Sequence, residues 1–192
     1  IFLCDSGGQY KYGTTDVTRT ICFEKPKKRI KEIFTRVLKG HIAVVSTNLN
    51  KTNKGDELDA KARYWLNKKK LDYRHGTGHG VGYFLNVHEG PQSLSKYNNT
   101  EIENGMIVSN EPGYYEENRF GIRIENLIYA KKDRNKFYFK NLTLAPVDLD
   151  LVDFNLLNYR EKKYLKDYHH LSLKKLSKFL TMKERNWLRS LI

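Results

Sequence analysis

The sequence predicts an α+β fold, and three observations carry that prediction. Short β-branched and aromatic runs open the chain and return in its middle. Two stretches of helical periodicity lie between them, and a further helical stretch closes the chain. In order, residues 1–4 form an apolar run that reads as buried strand and meets Asp5-Ser6-Gly7-Gly8, a turn signal. Residues 17–23 are β-branched and aromatic enough for a second strand. After Pro26, Ile30, Ile33, Phe34, Val37 and Leu38 follow the i, i+3, i+4, i+7, i+8 pattern of an amphipathic helix, with Lys28, Arg29, Lys31, Glu32 and Arg36 on its solvated face. A second helix is expected from about Asp56, a good N-cap residue, through Leu58, Ala62, Trp65 and Leu66 to Lys68-Lys69-Lys70.

Over residues 74–90 the helical pattern gives way to five glycines alternating with His75, His79 and His88, a backbone that permits close approach. Residues 105–110 and 120–130 read as strands. The first meets a Glu111-Pro112-Gly113 break, and the second carries Arg123 and Glu125 on one face by the period of two. A further strand covers 137–144. Asn158 with Glu161, and Thr181 with Glu184, are capping-box signatures for the closing helices.

The 192 residues carry 35 Lys+Arg against 22 Asp+Glu, a net charge of +13. Charge alone raises a nucleic-acid partner, but no nucleic-acid motif accompanies it, and lysine runs on helix faces are ordinarily solvation. The longest apolar runs fall far short of the roughly 20 residues a bilayer span needs, so no membrane partner is expected. Only Cys4 and Cys22 are present, which excludes a disulfide scaffold and a CxxC metal or redox pair.

The residues that can carry chemistry are Asp5 and Asp16 around the first turn, His79 in the glycine-rich loop, and Glu111 and Glu125 on the later strands. Four carboxylates supply about four negative charges, enough for two divalent cations about 3.5–4 Å apart. An oxygen-rich set with one imidazole suits Mn²⁺ best, with Zn²⁺ or Co²⁺ also accommodated. Taken singly, each member reads equally as a turn, strand or loop residue.

The surrounding strings narrow these alternatives. Asp5-Ser6-Gly7-Gly8-Gln9-Tyr10, Gly13-Thr14-Thr15-Asp16-Val17-Thr18-Arg19-Thr20, His75-Gly76-Thr77-Gly78-His79-Gly80-Val81-Gly82, His88-Glu89-Gly90-Pro91, Asn110-Glu111-Pro112-Gly113-Tyr114-Tyr115 and Gly121-Ile122-Arg123-Ile124-Glu125-Asn126 stand in the order found in Xaa-Pro aminopeptidases, also called aminopeptidase P. The chain resembles that family throughout, including its eukaryotic-type C-terminal extension.

The resemblance implies a pita-bread (creatinase/aminopeptidase) fold, incomplete here at its N-terminal side. It also implies a site for two divalent ions, usually Mn²⁺, and removal of the residue that precedes a proline, by a hydroxide that the two metals activate. It implies Asp5, Asp16, His79, Glu111 and Glu125 as metal ligands, with Asp16 and Glu125 bridging. His75 and His88 would contact substrate, Glu111 would shuttle a proton, and Arg123 would brace the site.

It further implies a metal-bearing part over 1–148, a helical extension over 149–192, and an upstream part of the catalytic domain, with further N-terminal domains, outside this chain. That upstream fragment is an expected partner for a complete site. Proline-containing peptides are the expected substrates, and a homodimer through the extension is the expected assembly. Two free cysteines and no leader suit the cytoplasm, with a digestive or lysosome-like vacuole as the alternative. The competing readings are a prolidase-like Xaa-Pro dipeptidase and a non-catalytic pita-bread peptide-binding module.

Overall fold

The computed structural model describes residues 1–82 and 86–192, so part of the glycine-rich stretch, 83–85, lies outside the described residues. Strands β1 (Phe2–Tyr10) and β2 (Gly13–Ile21) form an antiparallel hairpin in which Asp5 faces Thr18 and Gly7 faces Asp16. The turn expected at Asp5-Ser6-Gly7-Gly8 is therefore strand. A continuous ladder satisfies the backbone of these residues, and this outweighs their local turn preference. The chain instead reverses at Lys11-Tyr12 and enters β2 through Gly13 at φ +149°, a region that glycine adopts freely. Residues 1–4 are also less buried than their apolar run suggests: Ile1 and Phe2 are 43% and 52% exposed.

Helix α1 (Lys28–Val45) follows the expected pattern and continues about two turns beyond it, burying His41, Ile42, Val44 and Val45. Helix α2 (Gly55–Asn67) starts after Lys54, which places Asp56 in the first turn rather than at the cap; with Glu57 it still complements the positive end of the helix. Strands β3 (Gly78–His79) and β4 (Ser93–Leu94) make a short antiparallel pair. Strands β5 (Ile107–Asn110), β8 (Asn126–Asp133) and β9 (Lys136–Asn141) form a three-stranded antiparallel sheet in the order β5-β8-β9, and β6 (Gly113–Glu116) pairs with β7 (Phe120–Arg123).

The single strand expected over 120–130 is thus two strands in two sheets, broken at Ile124-Glu125. β7 pairs with β6 whereas β8 pairs with β5 and β9, so the chain changes sheets here, and the successive residues Ile124 and Glu125 are both buried where a single alternation would put one of them outside.

The chain then crosses the molecule through two 3₁₀ turns, Leu149–Leu151 and Phe154–Leu156, before α3 (Tyr159–Leu176) and α4 (Met182–Arg189). Both expected capping boxes form, Asn158 with Glu161 and Thr181 with Glu184. One core cluster joins Phe34, Val37 and Leu38 of α1 to Ile122, Ile124, Leu151 and Leu165. A second joins Val44 and Val45 to Leu58, Leu94, Val108 and Ile128. Each such fully buried aliphatic side chain stabilises the fold by about 1.5–3 kcal/mol relative to exposure. Helix α1 therefore runs behind both the β6–β7 hairpin and the β5-β8-β9 sheet and gives them a common support. Among the described residues, no helix is long and apolar enough to cross a membrane.

Candidate metal centre

The histidine-bearing loop is held in place from α2. Asp59 accepts hydrogen bonds from Thr77 N at 3.2 Å and Thr77 Oγ1 at 2.6 Å, while Arg63 donates to the carbonyls of Tyr73 at 2.7 Å and His75 at 2.6 Å. Across the loop, Glu111 N donates to Thr77 O at 2.7 Å. At Gly78 a Cβ would lie 1.9 Å from the Ser109 carbonyl, so only glycine lets β3 press against β5 here. The close approach expected of this glycine is thus to neighbouring backbone. His79 follows directly, its N–H donating to Ser109 Oγ at 2.9 Å.

Five side chains from separate elements meet in front of this support: Asp5 from β1, Asp16 from β2, His79 from β3, Glu111 just after β5, and Glu125 in the break between β7 and β8. Ligand atoms of His79, Glu111 and Glu125 lie within 4.8 Å of one another, as do those of Asp5, Asp16 and Glu125, and those of Asp16, His79 and His88. These groups overlap, so the donors form one continuous cluster.

The tautomer of His79 tests whether the donors fit a cation. Its Nδ1 faces Gly80 O at 3.0 Å and must donate there, which in the neutral ring leaves Nε2 as a bare acceptor. That nitrogen sits 3.4 Å from both Asp16 Oδ2 and Glu111 Oε1. Three lone-pair donors then point at each other, an arrangement that needs a cation or a proton between them. A backbone carbonyl accepting the far N–H is also the usual way a metal-bound histidine is oriented.

The titration behaviour agrees with crowding. Burial, followed by repulsion from Glu111, pushes Glu125 up to about 7, against the restraint of the Thr18 hydroxyl donating at 2.6 Å. Burial likewise raises Glu111, which accepts from Ser109 Oγ at 2.8 Å. Burial pulls His79 down, but its contacts with Asp16, Gly80 and Glu111 outweigh this and raise it. The residues present fit a pair of divalent cations, which would replace the protons these groups otherwise retain.

Arg123 and His75 complete the rim. Arg123 Nη2 donates to Asp5 Oδ2 at 2.5 Å and Nε donates to Thr18 Oγ1 at 3.0 Å, so Arg123 and Glu125 do share a surroundings, although through Thr18 rather than by strand alternation. Arg123 Nη1 donates to the Tyr115 hydroxyl at 2.9 Å, and that hydroxyl lies 2.9 Å from His75 Nε2. His75 Nδ1 donates to Gly76 O at 2.7 Å, and burial lowers the ring's pKa, so the neutral imidazole accepts from Tyr115. His88 is exposed, with its ring centroid 3.9 Å from that of His79.

The sequence does not separate Tyr114 from Tyr115, either of which could line a pocket or pack. Tyr114 does pack, against Phe120 and the core, whereas Tyr115 points into the site. Sequence reasoning missed Thr18 and Ser109. Each lies two residues from an expected ligand on a strand line, Asp16 and Glu111, so the period of two was the available signal. His41 is buried, donates to Asn110 O and is lowered to about 3 chiefly by burial, so it stays neutral behind β5.

Comparison with known proteins is consistent with this geometry. Residues 1–132 match metallopeptidase family M24, and residues 136–191 match the C-terminal region of that peptidase family. The chain is 48% identical to a probable Xaa-Pro aminopeptidase P of Laccaria bicolor, covering 98% of this chain and 32% of that protein. It is 52% identical to aminopeptidase P2 of Arabidopsis thaliana, covering 94% and 27%. An X-prolyl aminopeptidase from Caenorhabditis elegans, described as a cytosolic enzyme with a di-nuclear active site, superposes with a TM-score of 0.90 at 39% identity, over 98% of this chain and 32% of that one. A prolidase from Pyrococcus furiosus gives 0.65 at 31% identity, over 73% and 40%. The architecture is thus the pita-bread fold, and the chain spans about a third of the length of the relatives it matches most extensively.

Proposed function

The chain belongs to metallopeptidase family M24, and from that membership we propose that it carries the metal centre of an exopeptidase that removes the N-terminal residue from peptides with proline in second position. The observation that carries this reading is the convergence of Asp5, Asp16, His79, Glu111 and Glu125 into one cluster. Asp5, Asp16, His79, Glu111 and Glu125 would together hold two divalent ions. Mn²⁺ suits this oxygen-rich set best. When bound, the ions would supply Lewis-acid polarisation of the scissile carbonyl and an acidified water.

The chain's own residues do the rest. Glu111, at the edge of the cluster beside Ser109, would take a proton from the attacking water at its carboxylate and pass it to the departing proline nitrogen. His75, oriented by Gly76 and Tyr115, and His88, at the open edge of the cluster, face the substrate. Arg123 holds Asp5 and Tyr115 in register. Proline makes such an enzyme necessary, because its tertiary amide lacks an N–H and its ring fixes φ.

In the same reading, residues 1–148 form the metal-bearing part and residues 149–192 a helical extension that contacts a second subunit. Exposed Phe179 and Trp187 support the latter role. A cytoplasmic setting is supported by the two free cysteines and by the cytosolic C. elegans relative.

Metal analysis of the intact protein, followed by cleavage of Arg-Pro-Pro beside an Xaa-Pro dipeptide, tests the proposal. Tripeptide cleavage that depends on the divalent ion is expected. Cleavage of the dipeptide alone would make it a prolidase-like dipeptidase, and metal-independent peptide binding without turnover would make it a binding module.

A further inference from the structure

Glu125 lies between β7 and β8, outside either strand's ladder, so sheet pairing does not define where it sits. Two consecutive residues of β2 hold it instead. Thr18 O accepts from Glu125 N at 3.1 Å, and Thr18 Oγ1 donates to Oε2 at 2.6 Å. Arg19 Nη1 donates to Glu125 O at 2.6 Å and to Thr18 O at 2.8 Å.

Arg19 reaches further. Its Nη2 donates to Asn126 Oδ1 at 2.7 Å, to Ala145 O at 2.6 Å and to the Tyr168 hydroxyl of α3 at 3.1 Å, and its Nε donates to Pro146 O at 2.9 Å. All these acceptors are neutral, and the residue is only 8% exposed. A buried cation held by neutral dipoles gains little over an apolar side chain of similar volume, so stability alone gives a weak reason for an arginine here. Its geometry gives a better one, because only a planar guanidinium presents donors in a fixed fork to three chain segments at once.

We propose that Arg19 is a positioning residue of the metal centre. It fixes the Glu125 backbone against Ala145, Pro146 and Tyr168, so that the C-terminal segment sets the geometry of a site carboxylate. The proposal rests on the metal-site reading above and adds to it a residue that touches neither ion nor substrate.

The test compares wild type, Arg19→Lys and Tyr168→Phe in the intact protein loaded with Co²⁺. The visible absorption spectrum reads ligand geometry without turnover, kcat and KM are measured on Arg-Pro-Pro, and Tm records the structural cost. Lysine keeps the charge but cannot bridge the three segments. Arg19→Lys is expected to change the Co²⁺ spectrum and lower kcat by about 10-fold to 100-fold with KM nearly unchanged, because small misplacements of a reacting group cost that much. Tyr168→Phe should move both readouts in the same direction by a factor of about 2–5, the scale of one hydrogen bond.

An Arg19→Lys protein with the wild-type spectrum and kcat overturns the proposal, however far its Tm falls. Should that variant not fold, Tyr168→Phe decides by the same two readouts. Wild type that binds Co²⁺ but cleaves no Xaa-Pro peptide would overturn the peptidase reading and leave the spectra to judge Arg19. Wild type that binds no Co²⁺ would overturn both.

Discussion

In the C-terminal segment each helix begins on its own cap, Asn158 with Glu161 and Thr181 with Glu184, and α3 ends on Lys174 and Lys175, where a helix prefers cations. On the face built by β2, β5 and β7, four carboxylates from distant parts of the chain are gathered around one imidazole and one guanidinium, and burial raises two of them. The first region follows its local helix-end signals. The second violates the elementary rule that like charges stay apart. Such conflict persists only where the surrounding fold imposes it, and it marks the place where the molecule does chemistry.

The sharpest way to break this comparison is Asp16→Ala. It should remove bound divalent ion and lower kcat/KM by more than about 100-fold, since even indirect partners of metal ligands cost that much. Metal analysis and peptide cleavage check it, and retained turnover without metal would leave the cluster without a chemical role. On the other side, Leu165→Ala, in the core beneath α3, should lower stability by about 2–5 kcal/mol in denaturant melts. Tyr115→Phe, which removes the hydroxyl between His75 and Arg123, should lower kcat by roughly 10-fold while leaving Tm within a few degrees.

The pH dependence of stability compares the regions without catalysis. Glu125 titrates near 7 in the folded protein against an ordinary value of 4.5. The folded state therefore holds this proton more tightly than the unfolded chain. The stabilisation is full below about 4.5 and is lost as pH rises through about 7. Tm of metal-free protein should show this loss, Glu125→Gln should flatten it, and added Mn²⁺ should restore stability at neutral pH. An unchanged slope in Glu125→Gln would assign the titration to other groups. The smallest expected effect belongs to Thr181→Ala, about 1 kcal/mol from the lost cap of α4, with activity unaltered.

Much of the fold was legible because its signals are local. Helix α1 follows from the spacing of Ile30 to Leu38, and both C-terminal caps follow from residues three apart. The misreadings arose where pairing overrode local preference. Asp5-Ser6-Gly7-Gly8 looks like a turn until β2 is laid beside it, and residues 120–130 look like one strand until β7 pairs with β6 and β8 with β5 and β9. The donor set was legible as residue types in recognisable strings, yet Tyr115 was not, because nothing near it in the chain indicates that His75 and Arg123 lie on either side.

The sequence by itself determined the chemistry available: an oxygen-rich donor set with one imidazole, helices with marked ends, and no thiol pair to compete for metal. Tertiary structure alone decided how those donors are held. Glu125 takes its place from Thr18 and Arg19, more than a hundred residues earlier, and Arg19 in turn from Ala145, Pro146 and Tyr168. The physical reason is that hydrogen bonds over such separations depend on which distant segments the folded core brings together, and no local pattern in the chain encodes them.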